Sequence, residues 1–414
     1  MDIAVVVVLQ KKTMVHLQKF TSKAFMVLFA LTALNANAQL EFPSHEEGFS
    51  IRAADGSAKM NFGFRVQSLV TVSTTESFES VSSNMLIRRA RLKSDGYFFS
   101  KKFGYKFEMG MSNRDIGNGR EVSQSGSAPR LILDAVFKYK PGNNWEFWFG
   151  QTKLPGNRER VISSQSLQFV DRSLVNGSFN IDRDFGAWAI YKADLGKSNL
   201  VFANAITRGE GRDIVVNNAG GLSYTTRLDF LPMGKFASKG DYFGSDLARE
   251  QKPKLSIGVG YNYNQNASRV AGQLGSFVVD SLGESVNANL ATLLIDMHFK
   301  YNGWSLMSEC VSKTSNTNFS SYEGNINTYF GLGSGFVIQT GYLFKENYEF
   351  ACRYTKLSSN TKFSSIEDRD EYTLGFSKYI SGHNLKCQTD LSYNKREASD
   401  EGSISYRFQV EFGI

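Results

Sequence analysis

Short segments in which apolar and polar residues alternate with a period of two run from near residue 61 to the end of the chain. In the last of them, every even-numbered residue from Ile404 to Ile414 is apolar, and the residues between are polar or glycine. Successive side chains of a β-strand point to opposite faces, so such a segment has one apolar face and one polar face. The same pattern recurs at 102–112, 254–264 and 384–394. The alternation predicts β-strands and excludes a helical fold.

About sixteen such segments, separated by turns, indicate a transmembrane β-barrel. The polar face carries lysine, arginine, aspartate and glutamate too often to form a packed core, because each unpaired buried charge would cost several kcal/mol. We therefore expect the polar face to meet water inside the barrel and the apolar face to meet lipid. The segments lie near residues 61–73, 86–98, 102–112, 131–140, 144–153, 183–193, 198–208, 222–231, 254–264, 288–301, 303–313, 333–344, 347–358, 370–379, 384–394 and 403–414.

The number of strands and the lengths of their connections indicate a pore. A barrel of about sixteen strands leaves an aqueous channel, whereas one of eight strands fills with side chains. Short turns at one end and long loops at the other are typical of outer-membrane barrels. Short connections are predicted at 140–144, 301–303 and 381–383, and long connections at 154–182, 209–221, 232–253 and 265–287. The predicted fold is an all-β, transmembrane antiparallel barrel.

The first residues have the pattern of a secretory signal. Lysines at positions 11, 12, 19 and 23 precede the apolar run 24–31, and Ala36-Asn37-Ala38 forms a small-residue cleavage site. The apolar run is shorter than the ~20 residues that a membrane-spanning helix needs. We predict a signal peptide at 1–38, beginning at Met1 or Met14, a short periplasmic segment at 39–60 and a barrel at 61–414. This organisation predicts the outer membrane of a Gram-negative bacterium.

The composition disfavours several other classes of function. The formal net charge is +7, with both signs scattered along the chain, so a nucleic-acid partner is not expected. Three cysteines are too few for a disulfide framework. The histidines have no partner at metal-ligand spacing, and we read the acidic run 366–371 as a solvated segment instead of a Ca²⁺ site. The sequence predicts no catalytic residues, no metal and no cofactor.

Basic residues concentrate on the predicted inner face. Arg89, Arg91 and Lys93 occupy alternate positions of one strand and therefore lie on the same face. Lys102 and Lys106 are likewise predicted on one face of the next strand. The long connection 154–182 adds three arginines and is expected to fold into the pore, where rows of Arg and Lys select anions. The alternative is that these arginines pair with nearby acids and are structural. The three arginines are Arg158, Arg160 and Arg172, and the acids are Asp171, Asp182, Asp184 and Glu159.

Several motifs, taken in order, resemble the phosphate-selective porin O and P family of outer-membrane channels. The resemblance implies a sixteen-stranded homotrimeric porin with a loop folded into the lumen and a basic, anion-preferring pathway. The motifs are residues 86–92 (LIRRARL), 134–139 (DAVFKY), 149–155 (FGQTKLP), 169–173 (FVDRS), 183–186 (RDFG), 337–342 (VIQTGY) and 351–354 (ACRY). The candidate pathway residues are Arg89, Arg91, Lys93, Lys102, Lys106, Lys153, Arg158, Arg160, Arg172 and Arg183.

Three classes of function are compatible with such a barrel. The first is passive diffusion of small hydrophilic solutes, with a preference for anions such as phosphate. The second is a structural or partner-binding barrel with a role in adhesion or assembly. The third is a barrel enzyme, which would need a catalytic pair at the strand ends, and the sequence shows none there. The first is the prediction carried forward.

Overall fold

The computed structural model describes residues 38–41, 49–116, 130–214 and 221–414. Eighteen strands run through this part of the chain, with short helices between some of them. The strands are β1 (Ala38–Glu41), β2 (Phe49–Ala53), β3 (Lys59–Thr75), β4 (Val81–Tyr97), β5 (Phe103–Gly110), β6 (Ile132–Tyr139), β7 (Trp145–Lys153), β8 (Arg183–Leu195), β9 (Ser198–Thr207), β10 (Ser223–Leu231), β11 (Lys254–Ala267), β12 (Ala288–Tyr301), β13 (Trp304–Ser315), β14 (Gly333–Leu343), β15 (Tyr348–Ser358), β16 (Arg369–Ser381), β17 (Leu385–Arg396) and β18 (Ser403–Gly413). The helices are α1 (Asn113–Ile116), α2 (Arg158–Val161) and α3 (Leu174–Phe179), with 3-10 turns at Ala237–Tyr242 and Phe319–Tyr322.

Strands β3 to β18 close into one antiparallel barrel of sixteen strands. Each pairs with its neighbours in the chain, and β18 returns to β3 with Ser403 opposite Thr75 and Gly413 opposite Arg65. Closure gives every strand two hydrogen-bonded neighbours, because lipid offers no partner to an open sheet edge. The predicted fold class and strand number are confirmed.

The N-terminal strands form a hairpin beside the barrel. β1 pairs with β2, and β2 pairs with the first residues of β3, from Phe49 opposite Phe62. This hairpin falls in the region predicted as a periplasmic segment, 39–60. The predicted signal peptide, 1–38, lies outside the described residues except for Ala38, and both assignments stay predictions. No helix in the described ranges is long and apolar enough to cross a membrane.

The two faces of the wall follow the predicted alternation. On β11, Ile257, Val259 and Tyr261 are exposed on the outside, whereas the residues between them are buried on the inside. On β18, Phe408 is 39% exposed and its neighbour Gln409 only 1%. Outward apolar side chains meet lipid in a barrel of this kind. The three cysteines are unpaired and lie on strands β13, β15 and β17.

The two ends of the barrel differ in the lengths of their connections, and one long loop lies at a different end from the one predicted. Six tight turns share one end with the loop 232–253, which the sequence suggested would lie with the long loops at the opposite end. This loop joins β10 to β11, and strand order alone fixes its side. The six turns are 98–102, 140–144, 196–197, 302–303, 344–347 and 382–384.

Aromatic side chains form a belt on the outer wall near the short-turn end. Tyr139, Trp145, Tyr301 and Trp304 are all more than a third exposed there. Such amphipathic rings are enriched at the membrane interface. Tyr379, near the same end, faces inward and is 1% exposed, and its hydroxyl donates to Glu349 at 2.7 Å inside the barrel.

Candidate permeation pathway

The connection 154–182 is hydrogen-bonded at its start to inward-facing carboxylates of the far wall. Glu309 on β13 accepts from the Asn157 side chain at 2.7 Å and from the Glu159 backbone N–H at 2.5 Å. Asp296 on β12 accepts from the Arg158 backbone N–H at 3.2 Å. These carboxylates satisfy the first N–H groups of α2, which have no partner within the helix.

The middle of the same connection is bonded to strands further around the wall. The Gln168 amide donates to the hydroxyl of Ser305 and to Glu349, both at 2.8 Å. The Val170 backbone N–H donates to Asp390 on β17 at 3.1 Å. Because each bond joins residues more than a hundred positions apart, the segment is held by the closed barrel and not by its own local structure.

An apolar cluster holds the end of the connection, and it corrects the expectation that the inner face is polar throughout. Val175 and Phe179 of α3 are fully buried against inward-facing apolar residues of four neighbouring strands. Burial of such side chains stabilises by ~1.5–3 kcal/mol each. The wall residues are Leu294, Val311, Val337 and Leu357. Alternation predicts which face a residue is on, but an inward residue meets water only where no segment covers it.

The loop 232–253 is also bonded to inner-wall residues, from the short-turn end. The Lys300 ammonium donates to the backbone carbonyls of Gly240 and Ser245 at 2.8 and 2.6 Å. The Ser245 hydroxyl donates to Glu349 at 2.5 Å. The Gly244 N–H donates to the Ser166 carbonyl at 2.8 Å, so the loop also contacts the connection 154–182.

Two of the predicted arginines on β4 are buried and paired with acids. Arg89 bonds Asp171 at 3.2 Å, and Arg91 bonds both Glu108 at 3.0 Å and Asp115 at 2.7 Å. Asp171 also bonds Arg88 at 2.9 Å. Burial alone would favour the neutral carboxyl, but the Arg89 and Arg88 guanidiniums hold the pKa of Asp171 below its ordinary value.

A bulge explains why two adjacent arginines both reach Asp171. Arg89 lies opposite Gln67 and Ile87 opposite Ser68, so Arg88 has no partner on β3. A bulge inserts one extra residue and redirects its side chain. The parity rule places Arg88 on the outer face, and sequence reasoning therefore missed it.

Four more of the predicted cations are paired with acids. Arg158 is 1% exposed and bonds Asp229 at 2.5 Å. Arg183 bonds Asp134 at 3.1 Å, and Lys106 bonds the same carboxylate at 2.8 Å. Arg160 pairs in turn with Asp182. The contacts of these side chains agree with the alternative that the basic residues pair with acids and are structural.

Lys93, Lys153 and Arg172 are different, because each is half-buried and has no carboxylate oxygen within 4 Å among the described residues. Lys93 contacts the Gln165 amide oxygen at 3.4 Å, and Lys153 donates to the Arg160 carbonyl at 2.9 Å. Arg172 donates only to backbone carbonyls, at 2.9 and 2.7 Å. Burial lowers the pKa of Arg172 to about 10, so it remains charged at neutral pH.

Lys102 does not lie on the inner wall. It was predicted to stand with Lys106 on one strand, but the chain turns at 98–102 before β5 begins at Phe103. Its side chain is exposed at the short-turn end. Asp184, named as a pairing acid, accepts instead from the backbone N–H groups of Gly209 and Phe185.

Lys138 is an inward-facing cation that sequence reasoning missed. It is half-buried, and its ammonium lies 4.2 Å from the centre of the Trp148 ring. Lys138 has no carboxylate within 4 Å in the described part of the chain. The alternation in the sequence could have shown this, because Lys138 lies an even number of residues from Asp134 on β6 and therefore on the same face.

A cavity of about 270 Å³ lies between β5–β10, the start of the connection 154–182 and the loop 232–253. Lys106, Lys138, Lys153 and Lys192 contribute cations to its lining. Tyr242 reaches it from the loop and is 42% exposed. The cavity is thus bounded by the lysine-rich side of the barrel, opposite the wall that holds the two segments.

Comparison with known proteins agrees with this architecture. The family model of phosphate-selective porins O and P matches residues 60–412, the whole barrel. The chain belongs to this family. It is an outer-membrane porin, and the resemblance inferred from the sequence is confirmed.

Individual relatives of this porin are distant. An uncharacterised protein of Aquifex aeolicus (strain VF5) is 22% identical over 365 residues, which is 80% of each chain. An anion-selective porin from Comamonas acidovorans is 12% identical with a TM-score of 0.52, covering 86% of this chain and 100% of the other. In-vitro folded OmpT of Vibrio cholerae, in a trimer form, is 11% identical with a TM-score of 0.50 at the same coverage. At such identities the two solved structures share the fold with this porin.

Proposed function

We propose that this porin forms a water-filled channel for passive diffusion of small hydrophilic solutes and that it prefers anions such as phosphate. The observation that carries the preference is the set of four half-buried cations without a carboxylate within 4 Å in the described residues. They are Lys93, Lys138, Lys153 and Arg172. Such charges lower the electrostatic barrier for anions and raise it for cations. The anion-selective Comamonas porin of similar fold supports the assignment.

The connection 154–182 supplies the constriction in this proposal. A barrel of sixteen strands is otherwise too wide to discriminate between small ions. The segment brings Arg172 to the side of the lumen where Lys93 and Lys153 stand, and the contact of Lys153 with the Arg160 carbonyl joins wall and segment. The paired cations Arg89, Arg91, Lys106, Arg158, Arg160 and Arg183 line the same pathway and mainly hold its walls.

The barrel acts in this proposal as a homotrimer. The outward side chains of Thr340, Cys352 and Thr389 are small and leave a groove of about 470 Å³ between Trp304 and Phe350 on the outer wall. A second copy packed there would cover this part of the wall with protein in place of lipid. The trimer form of Vibrio cholerae OmpT supports the same stoichiometry.

The proposal also covers how the chain is exported and whether it is an enzyme. The signal at 1–38 directs the chain through the inner membrane of a Gram-negative bacterium, and 39–60 remains on the periplasmic side. The porin is proposed to be a channel and not an enzyme, since the acids and bases described inside the barrel bond one another or hold loop backbone. A phospholipase and protease assay of the purified protein tests the last point.

Planar-bilayer recording tests the channel. Purified protein added to a bilayer should give stepwise, ohmic conductance increments, and a KCl gradient should give a reversal potential on the chloride side. Protein that inserts, as judged by heat-modifiable migration on gels, yet carries no current would overturn the proposal. A reversal potential on the potassium side would agree with a channel but would overturn the proposed anion preference.

Light scattering of mildly extracted protein tests the trimer. The protein mass should be near three times that of the mature chain, which is the 46.2 kDa chain without its signal peptide. Cys352→Trp would fill the outer groove and should shift the protein towards monomer, whereas Cys310→Trp on β13, outside that groove, should not. A monomer under the mildest extraction would refute the trimer.

A further inference from the structure

The cavity beside Lys138 is lined by apolar side chains where the alternation calls for polar ones. Trp148, Trp188, Ile190 and Val201 all face inward on β7, β8 and β9 and border the cavity. The inner face of an aqueous barrel is ordinarily polar. Trp188 belongs to the apolar cluster around the connection 154–182 and Trp148 packs against that cluster, but both side chains also border the cavity, where they form an apolar strip together with Ile190 and Val201.

Cations stand against the apolar strip. Lys138 lies over the Trp148 ring, and Lys192 reaches the cavity with 48% of its side chain exposed while bonding Glu146 at 2.6 Å. Trp188 adds an indole N–H that has no acceptor in the described residues, although the side chain is 3% exposed. Small-molecule sites combine such an apolar lining with a few polar groups that fix orientation.

We propose that this cavity is a subsite for organic anions that carry a ring, such as aromatic carboxylates, within the diffusion pathway. The ring lies against Trp148 and Val201, and the carboxylate meets the Lys138 ammonium. An inorganic phosphate has no apolar surface to place on the strip and would lose hydration there without compensation. The subsite thus prefers ring carboxylates over acetate and phosphate. This inference rests on the proposed channel function and names one class of its solutes.

Competition with the chloride current measures the preference in the unmodified protein. Benzoate, acetate and phosphate are added as potassium salts to a bilayer that carries a chloride current. We expect benzoate to reduce that current at a concentration about fivefold lower than acetate does, the effect of one ring contact with an aromatic and cationic wall. Phosphate should act no more strongly than acetate.

Paired variants assign the effect to the cavity. Trp148→Leu should raise the half-blocking concentration of benzoate several-fold and leave that of acetate unchanged, while Trp304→Leu on the outer wall changes neither. Lys138→Gln should weaken block by both carboxylates, whereas Lys102→Gln in the exposed turn weakens neither.

The outcomes separate this inference from the proposed function. Absence of any chloride current would overturn the channel itself. A normal chloride current with equal block by benzoate and acetate would overturn the subsite alone. An equal loss of benzoate block in Trp148→Leu and Trp304→Leu would also overturn it, because the ring would then act from outside the cavity.

Discussion

Removing the four half-buried cations that carry the proposed anion preference should abolish that preference without unfolding the barrel. The variant carries Lys93→Gln, Lys138→Gln, Lys153→Gln and Arg172→Gln. Each side chain is half-buried and bonds only amide oxygens, carbonyls or a ring face. Neutral glutamine therefore leaves no buried carboxylate unpaired, and we expect little loss of stability.

The magnitude follows from Coulomb's law. A unit charge ~6 Å from a passing ion contributes about 0.7 kcal/mol at the dielectric constant of water. A Debye length of about 10 Å in 0.1 M salt reduces this to ~0.4 kcal/mol. That is about twofold in anion entry and twofold in the opposite direction for cations, so each charge changes the permeability ratio about fourfold. A lower local dielectric constant would enlarge the effect.

The assay is the reversal potential across a tenfold KCl gradient, for which a perfectly selective pore gives about 59 mV. The quadruple variant should move from the chloride side to zero or beyond. A matched control replaces four exposed lysines of the short-turn end by glutamine and changes the net charge equally. These are Lys101, Lys102, Lys252 and Lys345. An unchanged reversal potential in the first variant, or an equal shift in both, would refute the reasoning.

Three further predictions concern stability. Ile257→Arg on the lipid face should lower the free energy of unfolding by ~2–4 kcal/mol in urea titrations from lipid vesicles, and Lys252→Arg in the exposed loop should change it by less than ~0.5 kcal/mol. Arg227→Met removes the guanidinium that bonds Asp229 at 2.6 Å and Asp296 at 2.7 Å, so that among the described residues Arg158 alone faces both carboxylates, and should cost ~3–5 kcal/mol in the same titration. The pKa of Asp171 is held below its ordinary value, so its stabilisation persists at pH 4 and is lost as the pH falls through the lowered pKa. Asp171→Asn should therefore destabilise the porin at pH 7 and at pH 4, and a deficit that vanished already at pH 4 would contradict the ion pairs with Arg88 and Arg89.

The strands and the outer face could be predicted because their signal is local. Alternation places Ile257 outside and Ser256 inside from a few neighbouring residues, and the structure agrees. The same alternation suggests that Ser256→Arg costs little, since it assumes water on the inner side. Ser256 is instead fully buried, and its hydroxyl accepts from Arg158 at 2.9 Å. Contacts between residues 98 positions apart leave no periodic trace in the sequence.

The division of the inner charges into paired and unpaired groups could not be read from the sequence for the same reason. Arg91 and Lys93 have the same parity on one strand, yet among the described residues only Arg91 bonds carboxylates, those of Glu108 on β5 and Asp115 on α1, whereas Lys93 contacts Gln165. Proximity in the chain suggested Asp171 and Asp182 as partners of the arginines in the connection; Arg160 does pair with Asp182, but Asp171 bonds Arg89 on β4. Glu108, Asp134 and Asp229 lie on other strands, and only the barrel register brings them to their arginines.

Pairing and permeation place opposite demands on one inner surface. A buried arginine must keep its carboxylate, since loss of either partner leaves a charge without solvent or counterion. A cation that attracts permeant anions must lack such a partner, because a neighbouring carboxylate cancels its field. Half-burial reconciles the two demands for Lys93 and Lys138, because each side chain has no carboxylate partner among the described residues and still keeps part of its surface exposed. Substitutions at Arg91 or Arg227 should therefore appear first as loss of folding, and substitutions at Lys93 or Lys138 first as loss of selectivity.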